Sequence, residues 1–317
     1  MRRATLMVTA ATVLVFGLAA VAQQPPAQQP PVGGQGAAVG ADAGRQGRGG
    51  GRGGRAGGAP ARKRVLAWAD TRNGQAQHES VGHALAIIER LGYDSGMWDT
   101  FIRTDSNIIS ATPKKTDGSA ASGGPSLNNV DAIFYMGHRE VPLDDAQKKE
   151  LLKYVSDGHG FVGAHVALTS FASWPEFLDL IGARYAGHAF NGLGTVINER
   201  PDFPATKHFS ASFPFTDEFY TASEYSREKI DVLLRLVEPG GAPDQDTPVA
   251  WAKNYGKGRV FYSSLSHASS TWDQRDVQQM YFEAMRWALG LTEAEVQPHA
   301  MRGSAAPPAA GRGGGTR

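Results

Sequence analysis

Between Val65 and His165, short apolar runs alternate with segments of helical spacing, and this alternation restricts the fold more than any other feature of the chain. Val65-Leu66-Ala67-Trp68-Ala69 stops at Asp70 and Asn73-Gly74, as a buried strand entering a loop does. Residues 80–91 carry Val81, Ala84, Leu85, Ile88 and Leu91 at helical spacing, with Gly92 placed as a C-cap. Residues 93–98 read as a second strand and residues 131–136 as a third. A loop of about thirty residues separates them, a length that usually marks function or disorder. Pro142 and Asp144 open a helix whose apolar face is Leu151, Leu152 and Val155, closed by Gly158. Gly160-Phe161-Val162-Gly163-Ala164 is a fourth strand that runs straight into His165. Short buried strands separated by helices predict an α/β fold with a doubly wound, mostly parallel sheet. Ligands of such sheets sit at the carboxyl ends of the strands, which singles out residues 70–79, Gly137-His138 and His165.

The later part is less regular. Residues 195–198, 232–236, 249–251 and 259–265 read as strands, the last two joined by a turn through Tyr255-Gly256-Lys257-Gly258. A closing helix over 277–289 places Met280, Tyr281, Ala284, Trp287 and Ala288 on one side. No repeat or second linker interrupts residues 64–296, so they are expected to form a single domain.

The two ends differ in kind. Arg2 and Arg3 precede an apolar stretch through Leu6, Val8, Val13, Leu14, Phe16 and Leu18 that ends Ala20-Val21-Ala22. This is the pattern of a secretory signal peptide over residues 1–22, and it predicts a periplasmic or secreted protein. Left uncleaved, the same stretch would be a membrane anchor. Residues 23–63 are mostly Gln, Pro, Gly, Ala and Arg and read as a disordered linker, because they offer too little apolar surface to offset the entropy of ordering. Residues 297–317 repeat that composition and read as a disordered tail.

The formal charge of +1 hides this division. Twelve of the 32 basic residues but one of the 31 acidic residues lie outside 65–296, which leaves that stretch at −10. An acidic globule is not expected to bind nucleic acid. The GRQGRGGGRGGR segment ending at Arg55 resembles RNA-binding tracts, but behind an export signal a basic spacer in contact with the cell envelope is the better reading.

The chain has no Cys, which excludes disulfides, thiolate metal sites and thiol nucleophiles. It has nine His, and several lie where strands end: His78 beside Glu79, His138, His165, His188 and His267. Three familiar motifs fail. His78 and His83 are five residues apart, about 140° around a helix, which is not the one-face pair of a zincin. No G-x-S-x-G elbow is present, and no G-x-G-x-x-G follows a strand, so no nucleotide cofactor is indicated. What remains is a set of imidazoles and carboxylates. His78, His165, His188 and His267, from separate loops, could converge on a divalent metal such as zinc. In Asp217-Glu218-Phe219-Tyr220, a strand would point Glu218 and Tyr220 to one side as an acid/base or sugar-binding edge; alternatively the carboxylates cap a helix or face solvent.

In order along the chain, His78-Glu79-Ser80, the stretch from Gly158 to His165, Trp174-Pro175, Gly187-His188, Pro204-Ala205-Thr206, Thr216-Asp217-Glu218-Phe219-Tyr220, Pro248-Val249-Ala250-Trp251 and Tyr255-Gly256-Lys257-Gly258 resemble the ThuA-like (trehalose utilisation) family. The resemblance implies a flavodoxin-like, class I glutamine amidotransferase-like fold. In amidotransferases of that fold the residue ending the fourth strand is a nucleophilic Cys. Here it is His165, so amidotransferase chemistry is not expected. The resemblance implies an enzyme of carbohydrate catabolism acting on a disaccharide or an oxidised sugar, as a hydrolase, lyase or isomerase. His165, His78 and Glu218 would be catalytic, and Glu79, Asp217, Tyr220, His138, His188 and His267 would bind substrate. Val166, Gln77 and Phe203 stand where the family usually has Ser, Arg and His, and for that reason a non-catalytic carbohydrate-binding or sensing module is the alternative.

Overall fold

The computed structural model describes residues 61–74, 77–115 and 117–302. The expected signal peptide, nearly all of the linker and the end of the tail lie outside the described residues. The first half alternates as the sequence predicts: β1 (Lys63–Trp68), α1 (Val81–Ser95), β2 (Trp98–Arg103), β3 (Ala132–Tyr135), α2 (Asp145–Ser156), β4 (Gly160–Ala164) and, after a short turn of 3-10 helix, α3 (Pro175–Ile181). Then come β5 (Arg184–Asn198), β6 (Ser212–Ser223), β7 (Asp231–Val237), β8 (Pro248–Tyr255), β9 (Gly258–Ser263), α4 (Ser269–Trp272) and α5 (Arg275–Ala288).

Two local expectations change. Helix α1 runs past Gly92 to Ser95 and is capped by Gly96 at φ 69°, so strand β2 begins at Trp98 rather than at Tyr93. Gly92 serves a different purpose: a Cβ there would lie 2.3 Å from the Trp98 indole nitrogen, whose N–H donates to the Ile88 carbonyl. Gly92→Ala would ordinarily gain about 1 kcal/mol of helix propensity. Here the added methyl would run into a fully buried indole, and a net loss of about 1–3 kcal/mol is expected from overpacking. Urea denaturation measures it, and a variant as stable as the parent would show that the indole can shift. Helix α2 starts as its sequence suggests, with a capping box between Asp144 and Gln147.

All nine strands form one sheet in the order β2-β1-β3-β4-β9-β8-β7-β5-β6. The five strands from β2 to β9 pair in parallel, and the four remaining pairings are antiparallel. The expectation of a mostly parallel sheet therefore holds for one half and is corrected for the other. No helix separates β5 to β9 in sequence, and strands joined by turns or loops alone can return antiparallel. In the parallel half the sheet is covered on both faces. Val65, Ala67, Phe134 and Val162 pack with Leu85 and Ile88 of α1 and Met280 and Ala284 of α5. Leu66, Trp68, Ile133 and Phe161 pack with Leu151 and Val155 of α2 and Phe177 and Ile181 of α3.

Two features of the second half bear on function. Strand β5 pairs with β7 only over residues 195–198 but with β6 along nearly its whole length. Residues 184–194 and their β6 partners thus form a two-stranded arm, broken by register shifts between Tyr185 and Gly187 and between His188 and Phe190. The chain also stays attached beyond the expected boundary at 296: the Gln297 N–H donates to Asp231 Oδ2 at 2.8 Å, and the Arg302 N–H reaches Glu199 Oε2 at 3.3 Å. Part of the segment read as tail is hydrogen-bonded to the domain.

Candidate active site at the carboxyl ends of the strands

The chain reverses between β1 and β3, and the loops after β1, β3, β4 and β9 open on the same edge, as expected of ligand sites in such sheets. His165 is the first residue after β4 and sits at φ 40°, in the left-handed region that a side chain rarely adopts. The ring is fully buried. Its Nδ1 lies 2.7 Å from the Ser264 carbonyl oxygen, which can only accept. Nδ1 therefore carries the proton, and Nε2 of the neutral ring presents a lone pair. Ser264 reaches this ring because β4 and β9 are neighbours in the sheet.

His267 is delivered by a turn in which Ser266 has φ 150°. Asp217 secures that turn: its carboxylate accepts the Ser266 N–H at 2.7 Å and the His267 N–H at 3.2 Å. From the other side, Ser80 Oγ donates to the His267 carbonyl at 2.6 Å. Glu79 accepts the Ser269 N–H and hydroxyl at 2.9 and 2.8 Å. Glu79 and Asp217, expected to bind substrate, thus spend their oxygens on the loop that carries His267.

Glu218 Oε2 lies at the centre of the cluster. It is 2.9 Å from His267 Nδ1, 3.4 Å from His165 Nε2, 3.4 Å from His188 Nε2 and 4.0 Å from His78 Nε2. His165 Nε2 and His267 Nδ1 are 3.0 Å apart. His78, from the loop after β1, meets His165, His267 and His138 edge-on at centroid distances of 5.1, 4.9 and 5.3 Å. Tyr220 stacks on His165 at 4.2 Å. Glu218 and Tyr220 do face one side of a strand, the first of the two readings of that motif.

Burial, followed by the neighbouring rings of His165, His267 and His138, holds the His78 imidazole down to about 4. Burial also lowers His165. The facing imidazole of His165, and then those of His267 and His188, hold Glu218 down to about 2. At neutral pH this part of the site is a carboxylate facing uncharged His78 and His165. Burial pushes Asp217 up to about 7, against the N–H groups it accepts.

The metal set anticipated from sequence is altered. The structure gathers one ligand-capable atom each from His78, His165, Glu218 and His267, all within 4.8 Å of one another, so Glu218 takes the place expected for His188. His188 stands beside Glu218 with 53% of its side chain exposed and a ring nitrogen 3.2 Å from the Tyr185 hydroxyl. Tyr185, Ser80 and Ser264 were not singled out by sequence reasoning. The register shifts of the arm let Tyr185 meet a residue three positions on, which strand alternation does not foretell. Ser264 contributes only a main-chain oxygen.

The family model for ThuA, trehalose utilisation, matches residues 64–288. The chain belongs to the ThuA family. A ThuA-like protein from Bacteroides uniformis is 21% identical with a TM-score of 0.58, over 74% of this chain and 95% of that one. A ThuA-like protein from Parabacteroides merdae is 16% identical with a TM-score of 0.58, over 75% and 94%. These likenesses bear on the fold alone. No curated protein matches the sequence. Of the three positions expected from sequence to depart from the family pattern, Val166 is wholly buried in the core and Phe203 packs on Trp287 at 5.2 Å. Gln77 donates to Asn73 at 3.1 Å, one residue before His78. Val166 and Phe203 are both residues of the hydrophobic core.

Proposed function

We propose that this ThuA-family protein is an exported enzyme of carbohydrate catabolism that acts on a disaccharide or an oxidised sugar as a hydrolase, lyase or isomerase. The observation that carries the reading is the convergence of His78, His165, His188 and His267 on one oxygen of Glu218 at the carboxyl ends of the strands. Neutral imidazoles and an ionised carboxylate are in the unprotonated form that a general base requires. The exposed His188, steadied by Tyr185, is placed to give or take a proton at a sugar hydroxyl or at a carbon beside a carbonyl. Tyr220 supplies an aromatic wall. The order of the five parallel strands supports a flavodoxin-like, class I amidotransferase-like origin, while His165 supplies no thiol for the chemistry of those enzymes. The basic segments before and after the domain would lie against the anionic cell envelope.

The test is incubation of the purified chain with a panel of disaccharides and their oxidised forms, followed by NMR. Turnover that disappears in a folded His165→Ala variant is the expected result. Sugars that bind by calorimetry yet remain unchanged after long incubation would replace this reading with that of a carbohydrate-binding or sensing module.

A further inference from the structure

We infer that His78, His165, His267 and Glu218 form a binding site for one divalent transition-metal ion of the zinc class, held by three imidazole nitrogens and one carboxylate oxygen. The inference deepens the enzyme reading above and rests on the same cluster, but it makes a separate claim about what occupies it.

The first argument is a buried carboxylate oxygen without a partner. The Nδ1–H of His165 goes to the Ser264 carbonyl, so Nε2 of that ring offers a lone pair, 3.0 Å from His267 Nδ1 and 3.4 Å from Glu218 Oε2. Glu218 Oε2 is buried and has no hydrogen-bond partner. A buried carboxylate oxygen without a donor is costly unless a positive group meets it.

The second argument is spacing. A tetrahedral ion with ligands at about 2.0–2.1 Å separates them from one another by roughly 3.3 Å. Glu218 Oε2 lies 2.9, 3.4 and 4.0 Å from His267 Nδ1, His165 Nε2 and His78 Nε2, and the His165 and His267 nitrogens are 3.0 Å apart; these four separations bracket that value, and one ligand atom from each residue lies within 4.8 Å of the others. The third is orientation by surrounding groups. A metal-binding His characteristically gives its other N–H to a carbonyl or carboxylate, as His165 does to Ser264, and Asp217 and Ser80 fix the main chain of His267. Three nitrogens and one oxygen favour zinc and its neighbours over calcium or magnesium, which prefer all-oxygen sites. His188 lies outside the four and faces solvent, where a substrate oxygen would approach.

The experiment uses the purified full chain, stripped with a chelator and titrated with Zn2+, with elemental analysis and calorimetry as readouts. One ion per chain is expected. Glu218→Gln and His267→Ala are each expected to weaken binding by more than the roughly 10–100-fold typical of losing a group behind the ligands. His188→Ala should bind within a few-fold of the parent. Circular dichroism establishes that each variant is folded, and should His267→Ala fail to fold, Glu218→Gln and His78→Ala carry the test. Substoichiometric metal in the parent, or equal binding by parent and Glu218→Gln, overturns the site. If the ion binds and no sugar is turned over, the metal site stands and the enzymatic reading falls. If sugars are turned over equally in the stripped and loaded protein and no ion is retained, the reverse holds.

Discussion

Glu218→Gln is expected to lower turnover by about 10²–10⁴-fold while leaving the melting temperature unchanged or raised. The carboxylate is the negative centre on which the imidazoles converge, and His165 Nε2 and His267 Nδ1 both lie within 3.4 Å of its Oε2. An amide removes that charge and brings two N–H donors to a place crowded with acceptors. The change that disables the chemistry should therefore relieve the frustration of the apo cluster. Such opposition is the mark of a site where local stability has been given up for function. Rates on the responsive sugar and a thermal melt in the absence of metal check both halves. A variant that keeps full turnover would remove Glu218 from the chemistry. One that loses activity together with several degrees of melting temperature would mean that the carboxylate holds the fold.

The second large effect lies away from the site. Glu199→Ala is expected to destabilise the domain by about 3–5 kcal/mol, because it breaks a buried ion network from one side. The Glu199 side chain is fully buried, accepts both terminal nitrogens of Arg227 at 2.9 and 3.1 Å, and accepts Arg235 Nε at 2.7 Å. Arg235 is itself fully buried, and its other hydrogen bonds go to the carbonyls of Pro243 and Gln245. Without Glu199 a desolvated guanidinium keeps only neutral partners. The Arg302 N–H also reaches Glu199, so the attached end of the chain would loosen too. Chemical denaturation gives the magnitude. Replacing Glu199 and Arg235 together with Leu should recover much of the loss, since an apolar pair removes both charges. A single-variant loss below about 1 kcal/mol would place this pair with exposed ones and contradict the account.

How much of this is legible in the sequence depends on the range of the interactions involved. The strands of the parallel half announce themselves because Val65 to Ala69 and Gly160 to Ala164 are buried on both faces and so read as unbroken apolar runs. Most of the arm escapes notice. Residues 184–194 include Gly187, Gly192 and Gly194, and their alternation is broken by two register shifts, so only 195–198, which also pair with β7, look like a strand. Gly92 misleads because a glycine near the end of an apolar period looks the same whether it caps the helix or makes room for Trp98.

The sequence by itself determined the family, the alternating first half, the acidic charge of residues 65–296, the absence of a thiol where His165 stands, and the placing of His78, His138, His165 and His267 at strand ends. All of these follow from composition or from contacts a few residues long. The tertiary structure alone decided that β5 to β9 pair antiparallel with one another, and that Glu218 lies at the centre of the four His. It also decided that Asp217 and Glu79 hold a loop. The physical reason is distance along the chain: His165 and His267 meet across 102 residues and Asp217 grips Ser266 across 49. Periodicity records which way a side chain faces, whereas strand order decides what it faces.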